Sequence, residues 1–273
     1  MAGISRRELI NQVKEKRSFL CVGLDTDIDK IPVKFKDSND PVFEFNKQII
    51  DCTKEFCVAY KLNIAFYEAM GERGYRSLYK TANYIPKNIL KIADAKRGDI
   101  GNTSQKYAEM LYDEFKFDAS TLNPYMGKDS IDPFLEYKSK LNFILALTSN
   151  PGANDFEKIR LTDNSFLYQE IIKKVKFWNV NDNCGLVFGA TKKEELLKDI
   201  KLFGELPVLL PGVGAQGGSI EDVVNIFKQN KLSRFLINIS RGIIYKSSAE
   251  DFADQARTEL KTVNKIIRTI MTE

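Results

Sequence analysis

Apolar residues are concentrated in eight short runs, and each run is separated from the next by a stretch of helical periodicity. Short apolar runs bounded by turn residues are typical of strands that are buried on both faces. Their regular alternation with helices predicts a parallel sheet. The runs lie at 19–24, 58–62, 89–93, 117–122, 142–147, 185–188, 207–210 and 234–239. Eight such units predict a closed (β/α)8 barrel, with a doubly wound open sheet as the alternative.

The stretches between the runs predict helices. We expect an amphipathic helix over the first 17 residues and a helix that begins near Ser219. Thr103 or Ser104 is a candidate N-cap for the helix after the third run. Other predicted helices span 41–56, 75–84, 104–115, 129–138, 165–178 and 249–271, with a Lys/Glu-rich helix after the sixth run. No change in composition marks a linker, so residues 1–273 are predicted to form one domain.

Composition and charge exclude several classes of protein. The net charge of +4 comes from 41 basic and 37 acidic residues that are well mixed, so a nucleic-acid partner is not expected. The N-terminus does not have the form of a signal peptide, and no apolar run is long enough to span a membrane. Four cysteines form no CxxC pair, which favours buried free thiols. These features predict a cytoplasmic protein.

The chain contains no histidine. This removes the usual general base, the Ser-His-Asp arrangement and the commonest zinc ligand. Proton transfer near neutral pH must therefore use Lys, Asp, Glu, Tyr or Cys.

Polar residues follow the predicted strands at the point where each strand ends. In a barrel these ends converge on one face, which is the active face of barrel enzymes. The residues are Asp25, Lys61, Asn63, Asp94, Lys96, Asn123, Thr148, Ser149, Gly189, Gly212, Ser240 and Arg241. Each could be an ordinary cap or turn residue, but their common position predicts an active site.

The end of the third strand carries the densest charge. Asp94 and Lys96 are two residues apart, so in an extended chain they point to the same side. Asp99 lies beyond the strand end, where Gly98 and Gly101 allow the backbone to turn. A solvated, charge-rich turn is the alternative interpretation.

A phosphate site is predicted at the last two strand ends. The segment PGVGAQGGS contains Gly212, Gly214, Gly217 and Gly218, whose backbone N–H groups are unshielded, and it precedes a helix N-terminus. Arg241 follows the eighth strand and can hold a phosphate through two parallel hydrogen bonds. The alternative is that the glycines serve only a mobile loop, and the same glycines would let that loop act as a lid.

The chain resembles the orotidine 5′-phosphate decarboxylases, in the longer form found in many bacteria and some protozoa. The resemblance runs from FLCVGLD to SRGIIY. The family's Asp-x-Lys-x-x-Asp motif is present as Asp94, Lys96 and Asp99, followed by IGNT. The aspartate after strand one matches Asp25, and the lysine after strand two matches Lys61. The phosphate loop PGVGAQG, which begins at Pro211, and the final SRG turn also match.

The resemblance implies the reaction and the assembly. Orotidine 5′-phosphate would give uridine 5′-phosphate and carbon dioxide, the last step of de novo UMP synthesis, with no metal and no organic cofactor. The protein would be a homodimer with two shared sites, in which Asp99, Ile100 and Thr103 enter the partner subunit's site.

The resemblance also implies a role for most of the candidate residues. Lys96 would stabilise the charge left at C6 and protonate it, because the pyrimidine ring cannot delocalise an electron pair in an sp² orbital. Asp94 would lie close to the substrate carboxylate, in an alternating row of Lys61, Asp94, Lys96 and Asp99. The substrate-binding set would comprise Asp25 and Lys61 at the ribose, Thr148 and Ser149 at the pyrimidine, Gln216 between phosphate and base, Arg241 and the Gly242 backbone at the phosphate, and Pro211 and Asn63 without an assigned role.

Two alternatives use the same barrel. A metal-dependent phosphosugar aldolase or synthase, such as a hexulose-phosphate synthase, shares the Asp-x-Lys-x-x-Asp stretch but needs a metal-binding carboxylate at the second strand end. This chain has Lys61 there, which argues against that reaction. A non-catalytic nucleotide-binding protein would be expected to have lost part of the charged row, and the row is complete.

Overall fold

The computed structural model describes residues 6–214 and 217–272, and these form a closed barrel of eight parallel strands. Each strand pairs with the next along the chain, and the eighth closes on the first, where Cys21 lies opposite Asn238. The strands are β1 (Leu20–Gly23), β2 (Ala59–Asn63), β3 (Leu90–Arg97), β4 (Ala119–Leu122), β5 (Leu141–Leu147), β6 (Cys184–Phe188), β7 (Val208–Leu210) and β8 (Phe235–Ile239). The predicted barrel is confirmed, and the open-sheet alternative is wrong.

Helices surround the barrel. They are α1 (Arg6–Lys16), α2 (Pro41–Thr53), α3 (Ile64–Glu68), α4 (Gly71–Tyr84), α5 (Gly101–Glu109), α6 (Asp132–Leu135), α7 (Leu167–Trp178), α8 (Lys193–Asp199), α9 (Ile220–Gln229), α10 (Arg241–Ile244) and α11 (Phe252–Thr272). Every residue of β1, β4, β6, β7 and β8 is buried, which explains why the strands appear in the sequence as continuous apolar runs. None of the described helices is long and apolar enough to cross a membrane.

Two predicted helix starts are wrong for physical reasons that the structure shows. The helix after β3 begins at Gly101, whose positive φ of 51° turns the chain straight into the helix. Thr103 and Ser104 therefore lie inside α5 and do not cap it, and the Ser104 hydroxyl donates to the Ser130 carbonyl instead. The helix predicted from residue 75 begins at Gly71 and is preceded by the short helix α3.

Gly74 explains why the second of these starts was misplaced. A Cβ at this position would lie 1.8 Å from the Tyr67 carbonyl oxygen, so the glycine permits close packing of α3 against α4. In the sequence it has the appearance of a turn residue. The helix predicted over 129–138 is likewise shorter than expected, and consists of a 3₁₀ turn at Lys128–Ser130 followed by α6.

The third strand is longer than its apolar run and carries a bulge. Ala93 lies opposite Ser120 of β4, whereas the next pair matches Arg97 with Leu122. Four residue steps on β3 are thus opposed by two on β4, and the surplus residues include Asp94 and Lys96. Bulges often re-aim side chains near active sites. Here the bulge determines how the charged residues at the end of β3 are presented.

Candidate active site

A cavity of about 310 Å³ opens at the carboxyl ends of the strands, where the sequence predicts the active site. It brings together polar residues from both sides of the barrel. Its lining is Asp25, Lys61, Asn63, Asp94, Lys96, Thr121, Leu145, Thr148, Ser149, Asn150, Val187, Leu209, Pro211, Gly212, Val213, Asn238, Ser240 and Arg241. Most of the predicted substrate-binding residues therefore share one cavity.

A row of alternating charge lies along one wall of this cavity, at the ends of β1, β2 and β3. The Nζ atom of Lys61 lies 2.7 Å from Oδ2 of Asp94 and 3.3 Å from Oδ1 of Asp25. The Nζ atom of Lys96 lies 2.6 Å from Oδ1 of Asp94. Only 4% of the Lys61 side chain is exposed, against 49% for Lys96. Lys61 is thus committed to its two carboxylates, while Lys96 reaches into the space that a substrate would occupy.

The surroundings of Asp94 and Lys61 keep both groups ionised. Burial by itself raises the pKa of the Asp94 carboxyl, but the charges of Lys61 and Lys96 outweigh it and hold that pKa well below its usual range. Burial likewise lowers the pKa of the Lys61 ammonium, and the carboxylates of Asp94 and Asp25 reverse this and raise it. The cavity therefore presents a fixed anion beside a cation at neutral pH.

The bulge places Lys96 in an uncommon backbone conformation. Its φ of 49° lies in the left-handed region, which costs a non-glycine residue on the order of 1–3 kcal/mol. The Lys96 amide donates to the Thr121 hydroxyl at 3.0 Å, and that hydroxyl donates to Oδ1 of Asp94 at 3.0 Å. A side chain of β4 thereby supplies the acceptor that the interrupted strand pairing lacks.

Tyr245, which follows β8, holds the loop after β1. The Tyr245 hydroxyl accepts from the Asp27 amide at 2.7 Å and donates to the Asp25 carbonyl at 3.3 Å. Burial raises the pKa of Tyr245 to about 12, so its hydroxyl keeps the proton that it donates. Tyr245 thus fixes the backbone that carries Asp25.

The predicted phosphate segment lies on the opposite wall. Pro211, Gly212 and Arg241 line the cavity, and Ser219 caps α9 by accepting from the Asp222 amide at 3.0 Å. Gly212, Gly214 and Gly217 have φ values of 96°, 76° and 90°. These values favour glycine and explain its repetition in this segment. Gln216 lies outside the described residues.

Thr148 and Ser149, which follow β5, both line the cavity, but their polar groups are engaged differently. The Thr148 amide donates to the Glu157 carboxylate at 2.6 Å, and the Thr148 hydroxyl lies 2.6 Å from Oδ1 of Asn150 and 2.8 Å from that carboxylate. Within residues 6–214 and 217–272, the Ser149 hydroxyl makes only a long contact of 3.5 Å to the Pro211 carbonyl. A Cβ at Gly189 would lie 2.6 Å from that hydroxyl, so the glycine at the end of β6 leaves room for Ser149.

Four predicted residues lie outside the lining of this cavity. Ile100 is 60% exposed, Thr103 is on the exposed side of α5, and an Asp99 carboxylate oxygen accepts from the Ile100 amide at 2.8 Å. Within one chain, Asp99 does not extend the row that ends at Lys96. Gly242, the second residue of α10, is also absent from the lining.

Sequence reasoning missed Thr121, Glu157 and Tyr245. Each acts on a cavity residue through a contact that joins distant parts of the chain. Thr121 carried a weak signal, because it is a hydroxyl residue near the end of an otherwise apolar run. Glu157 and Tyr245 lie outside the strand-end positions and carried none. Among the residues that the structure describes, no group of three or more Cys, Asp or Glu side chains is placed to hold a metal ion.

Comparison with known proteins gives a consistent result. A model of the orotidine 5′-phosphate decarboxylase / HUMPS family matches residues 18–256. The orotidine 5′-phosphate decarboxylase of Christiangramia forsetii is 50% identical over 256 residues, which is 93% of each chain. That of Flavobacterium johnsoniae is 45% identical over 271 residues, which is 98% of each chain.

A solved structure shares both the fold and the extent of the chain. The Leishmania donovani OMP decarboxylase superposes with a TM-score of 0.82 at 34% identity, covering 97% of this chain and 99% of that one. With a family model that spans most of its length and relatives of matching length at 45–50% identity, the chain belongs to the orotidine 5′-phosphate decarboxylase / HUMPS family.

Proposed function

We propose that this chain converts orotidine 5′-phosphate into uridine 5′-phosphate and carbon dioxide, the last step of de novo pyrimidine nucleotide synthesis. The observation that carries the proposal is the row of Lys61, Asp94 and Lys96 on one wall of a cavity whose opposite wall holds Arg241. Membership of the family and close relatives named for this activity support it. We propose residues 1–273 as one catalytic unit.

Lys96 is the residue that we assign to the chemical step. Cleavage of the C6–carboxylate bond leaves an electron pair on C6 in an sp² orbital that the ring cannot delocalise. A fixed cation beside C6 stabilises that pair in the transition state, and a preorganised charge costs no reorganisation. Lys96 then donates a proton to C6, which gives the C–H bond of the product. Its half-exposed ammonium, tethered to Asp94, suits both roles.

Asp94 acts through its negative charge. Since Lys61 and Lys96 keep its pKa low, it is an anion when the substrate carboxylate arrives. Repulsion between the two carboxylates falls as carbon dioxide leaves, so the contact favours the transition state over the bound substrate. Lys61 stays with Asp94 and Asp25 and keeps this arrangement neutral enough to be buried.

The remaining cavity residues are assigned to substrate binding. Arg241 and the glycine segment from Pro211 take the phosphate, with Gln216 and the Gly242 backbone as further contacts. Asp25 and Lys61 take the ribose hydroxyls. Ser149 takes the pyrimidine, because its hydroxyl has only one long contact among the described residues. Thr148 lines the cavity as the neighbour of Ser149, although Glu157 engages both its amide and its hydroxyl.

We propose that the active enzyme is a homodimer with shared sites. Asp99, Ile100 and Thr103 are not part of the cavity lining of one chain, and the exposed apolar side chain of Ile100 favours contact with a second subunit. A partner's Asp99 would then complete the charged row at Lys96. We also propose a cytoplasmic location, supported by four buried cysteines that remain free thiols.

The deciding experiment follows the loss of pyrimidine absorbance when orotidine 5′-phosphate is added to the purified chain, with and without EDTA. Rapid loss that EDTA does not affect is expected. No loss by a folded chain that still binds uridine 5′-phosphate would overturn the proposal in favour of a binding protein. Magnesium-dependent, EDTA-sensitive turnover of a phosphosugar would support the aldolase or synthase alternative, which the Lys61 ammonium at the end of β2 disfavours.

Shared sites have a separate test. Lys96→Ala and Asp99→Ala chains are each expected to be inactive alone. A hybrid dimer of the two contains one intact site, so mixing them after dissociation should restore up to about one quarter of wild-type activity, from the statistics of a two-fold dimer. A mixture that stays inactive, although hybrids are shown to form, would contradict sharing.

A further inference from the structure

The hydroxyl of Thr121 lies between Asp94 and Lys96, the two residues assigned above to the chemical step. It is buried in β4, with 1% of the residue exposed, and it contacts both Asp94 and the backbone of Lys96 at 3.0 Å. We propose that Thr121 is a positioning residue for the decarboxylation, which holds the Asp94 carboxylate and the Lys96 backbone at the separation that the reaction needs. The inference rests on the proposed function and assigns a residue that acts through Asp94 and Lys96.

The polarity of the two hydrogen bonds is fixed. The Lys96 amide can only donate, so the Thr121 oxygen accepts there, and the single hydroxyl proton is left for Oδ1 of Asp94. A carboxylate that is ionised can only accept, and Asp94 is ionised. The hydroxyl thus has no second proton with which to donate to a substrate. Its contribution to the reaction is to hold these two neighbours.

The bulge in β3 explains why such a contact is needed. Regular pairing stops at Ala93 opposite Ser120 and resumes where the Asn123 amide donates to the Arg97 carbonyl at 2.8 Å. Between these points Lys96 adopts its φ of 49° without a backbone acceptor on β4. An unpaired amide in this buried wall would favour other backbone conformations, and each would move the Lys96 side chain.

Both tethers meet on one atom. Oδ1 of Asp94 accepts from Thr121 at 3.0 Å and from the Lys96 ammonium at 2.6 Å, while Oδ2 accepts from Lys61 at 2.7 Å. Loss of the hydroxyl removes one of three donors that orient the carboxylate and also releases the backbone of Lys96. Asp94 and Lys96 would therefore become misplaced together. Misplacement of a reacting group by about 1 Å costs on the order of 100-fold in rate.

The test compares Thr121→Ser with Thr121→Ala, because both remove the methyl group and differ only in the hydroxyl. Ser120→Ala is the matched control, since the Ser120 hydroxyl lies on the other face of the same strand and contacts Tyr112 at 2.7 Å. The readouts are kcat with saturating orotidine 5′-phosphate, the Kd of uridine 5′-phosphate and the melting temperature.

Thr121→Ala is expected to lower kcat by about 10- to 100-fold. The Kd of uridine 5′-phosphate should change little, because the phosphate and ribose contacts remain. Thr121→Ser should restore kcat to within a few-fold of wild type, and Ser120→Ala should leave it unchanged. A purely structural role predicts that Thr121→Ala lowers kcat and the melting temperature and raises the Kd together, and that result would overturn the inference.

Several results would overturn the inference. They are equal kcat values for Thr121→Ala and wild type, equal losses in the Ser and Ala variants, and a loss confined to Kd. If Thr121→Ala does not fold, Thr121→Val fills the same volume without the hydroxyl and takes its place in the comparison with Thr121→Ser. An inactive wild-type chain would instead refute the proposed function, so the two failures are distinguishable.

Discussion

The two walls of the cavity are built in different ways. On the wall formed by β1 to β4, Asp25, Lys61, Asp94, Lys96 and Thr121 are joined side chain to side chain at 2.6 to 3.3 Å. On the wall formed by β5 to β8, Thr148 is held by Glu157, but the Ser149 hydroxyl has one contact, of 3.5 Å, among the described residues. Within the described part of the chain, Arg241, which follows β8, forms no ion pair.

This difference separates two tasks. The charged wall is assembled before any substrate arrives, so the electrostatic stabilisation that it offers needs no rearrangement during the reaction. On the opposite wall, the Ser149 hydroxyl and the Arg241 side chain are available to a ligand. Under the proposed function, phosphate binding on this wall uses binding energy at a distance from C6 to favour the chemical step.

Substitution of Lys96 should break the charged wall with the largest effect. Lys96→Ala is expected to lower kcat by at least about 10⁴-fold, because it removes both the cation and the proton donor. The Kd of uridine 5′-phosphate should stay within about 10-fold, since the opposite wall is intact. Lys116→Ala is the matched control, because Lys116 has a similar φ of 57° away from the cavity. Near-normal kcat in Lys96→Ala would remove Lys96 from the mechanism.

Asp94→Asn should damage both the activity and the stability of the same wall. We expect kcat to fall by about 10³-fold, as for the loss of one preorganised electrostatic partner. The free energy of unfolding should fall by about 3 kcal/mol, since the buried Lys61 keeps only the more distant Asp25 as a counter-charge. Chemical denaturation at neutral pH measures this loss, and an unchanged free energy would contradict the role of Asp94 in the row.

The difference in unfolding free energy between wild type and Asp94→Asn should change with pH in a defined direction. The folded-state pKa of Asp94 lies below its unfolded value of about 4. Its pairing therefore stabilises the fold above that pH, and the contribution is lost as the pH falls through and below about 4. The gap in unfolding free energy between wild type and Asp94→Asn should narrow in that window. A gap that widens there would contradict the assigned shift.

Arg241→Ala should affect the opposite wall and leave the charged wall intact. Loss of charge-assisted hydrogen bonds is expected to weaken uridine 5′-phosphate binding by about 10- to 100-fold. Binding of uridine, which has no phosphate, should not change. Lys246→Ala is a suitable control, because Lys246 pairs with Glu259 at 2.8 Å on another part of the surface. Equal weakening for uridine and its phosphate would show that Arg241 does not act on the phosphate.

Gly214→Ala should produce the smallest effect and sharpen the view of the glycine segment. A Cβ at Gly214 meets no atom of the described residues within 4 Å, so the expected cost is that of the φ of 76°, about 1 kcal/mol. We expect a few-fold weaker binding of uridine 5′-phosphate. Gly71→Ala carries a similar cost, at φ 60° and in open space, and should lower stability alone. Identical binding in the two variants would mean that the segment has no conformational role.

The barrel could be predicted because most strand residues are buried on both faces of the sheet and most of those are apolar. The errors occur where one residue type serves two purposes. Gly74 has the appearance of a turn residue but permits helix packing against Tyr67. The charged end of β3 has the appearance of a turn, although the strand continues to Arg97 through a bulge that no local pattern announces.

The charged row was predictable for a related reason. The row consists of residues at or near the carboxyl ends of strands, namely Lys61, Asp94 and Asp25. Parallel topology alone brings such positions together. Thr121 and Glu157 could not be found in this way, because their contacts depend on strand register and loop path. Thr148 shows the consequence. The sequence predicts that its hydroxyl contacts the pyrimidine, whereas in the structure Glu157 engages that hydroxyl. The roles assigned to Asp99, Ile100 and Thr103 stay predictions until the dimer is tested.

The pairing of β1 with β8 has a consequence for how the enzyme is made. During synthesis β1 emerges first, yet its partner across the closure is the last strand to leave the ribosome. The backbone of Asp25 also becomes fixed only after β8 has been made, because Tyr245, which follows β8, binds its carbonyl. Contacts of such long sequence separation form slowly. In a refolding or translation reaction, decarboxylation therefore cannot begin before the barrel has closed.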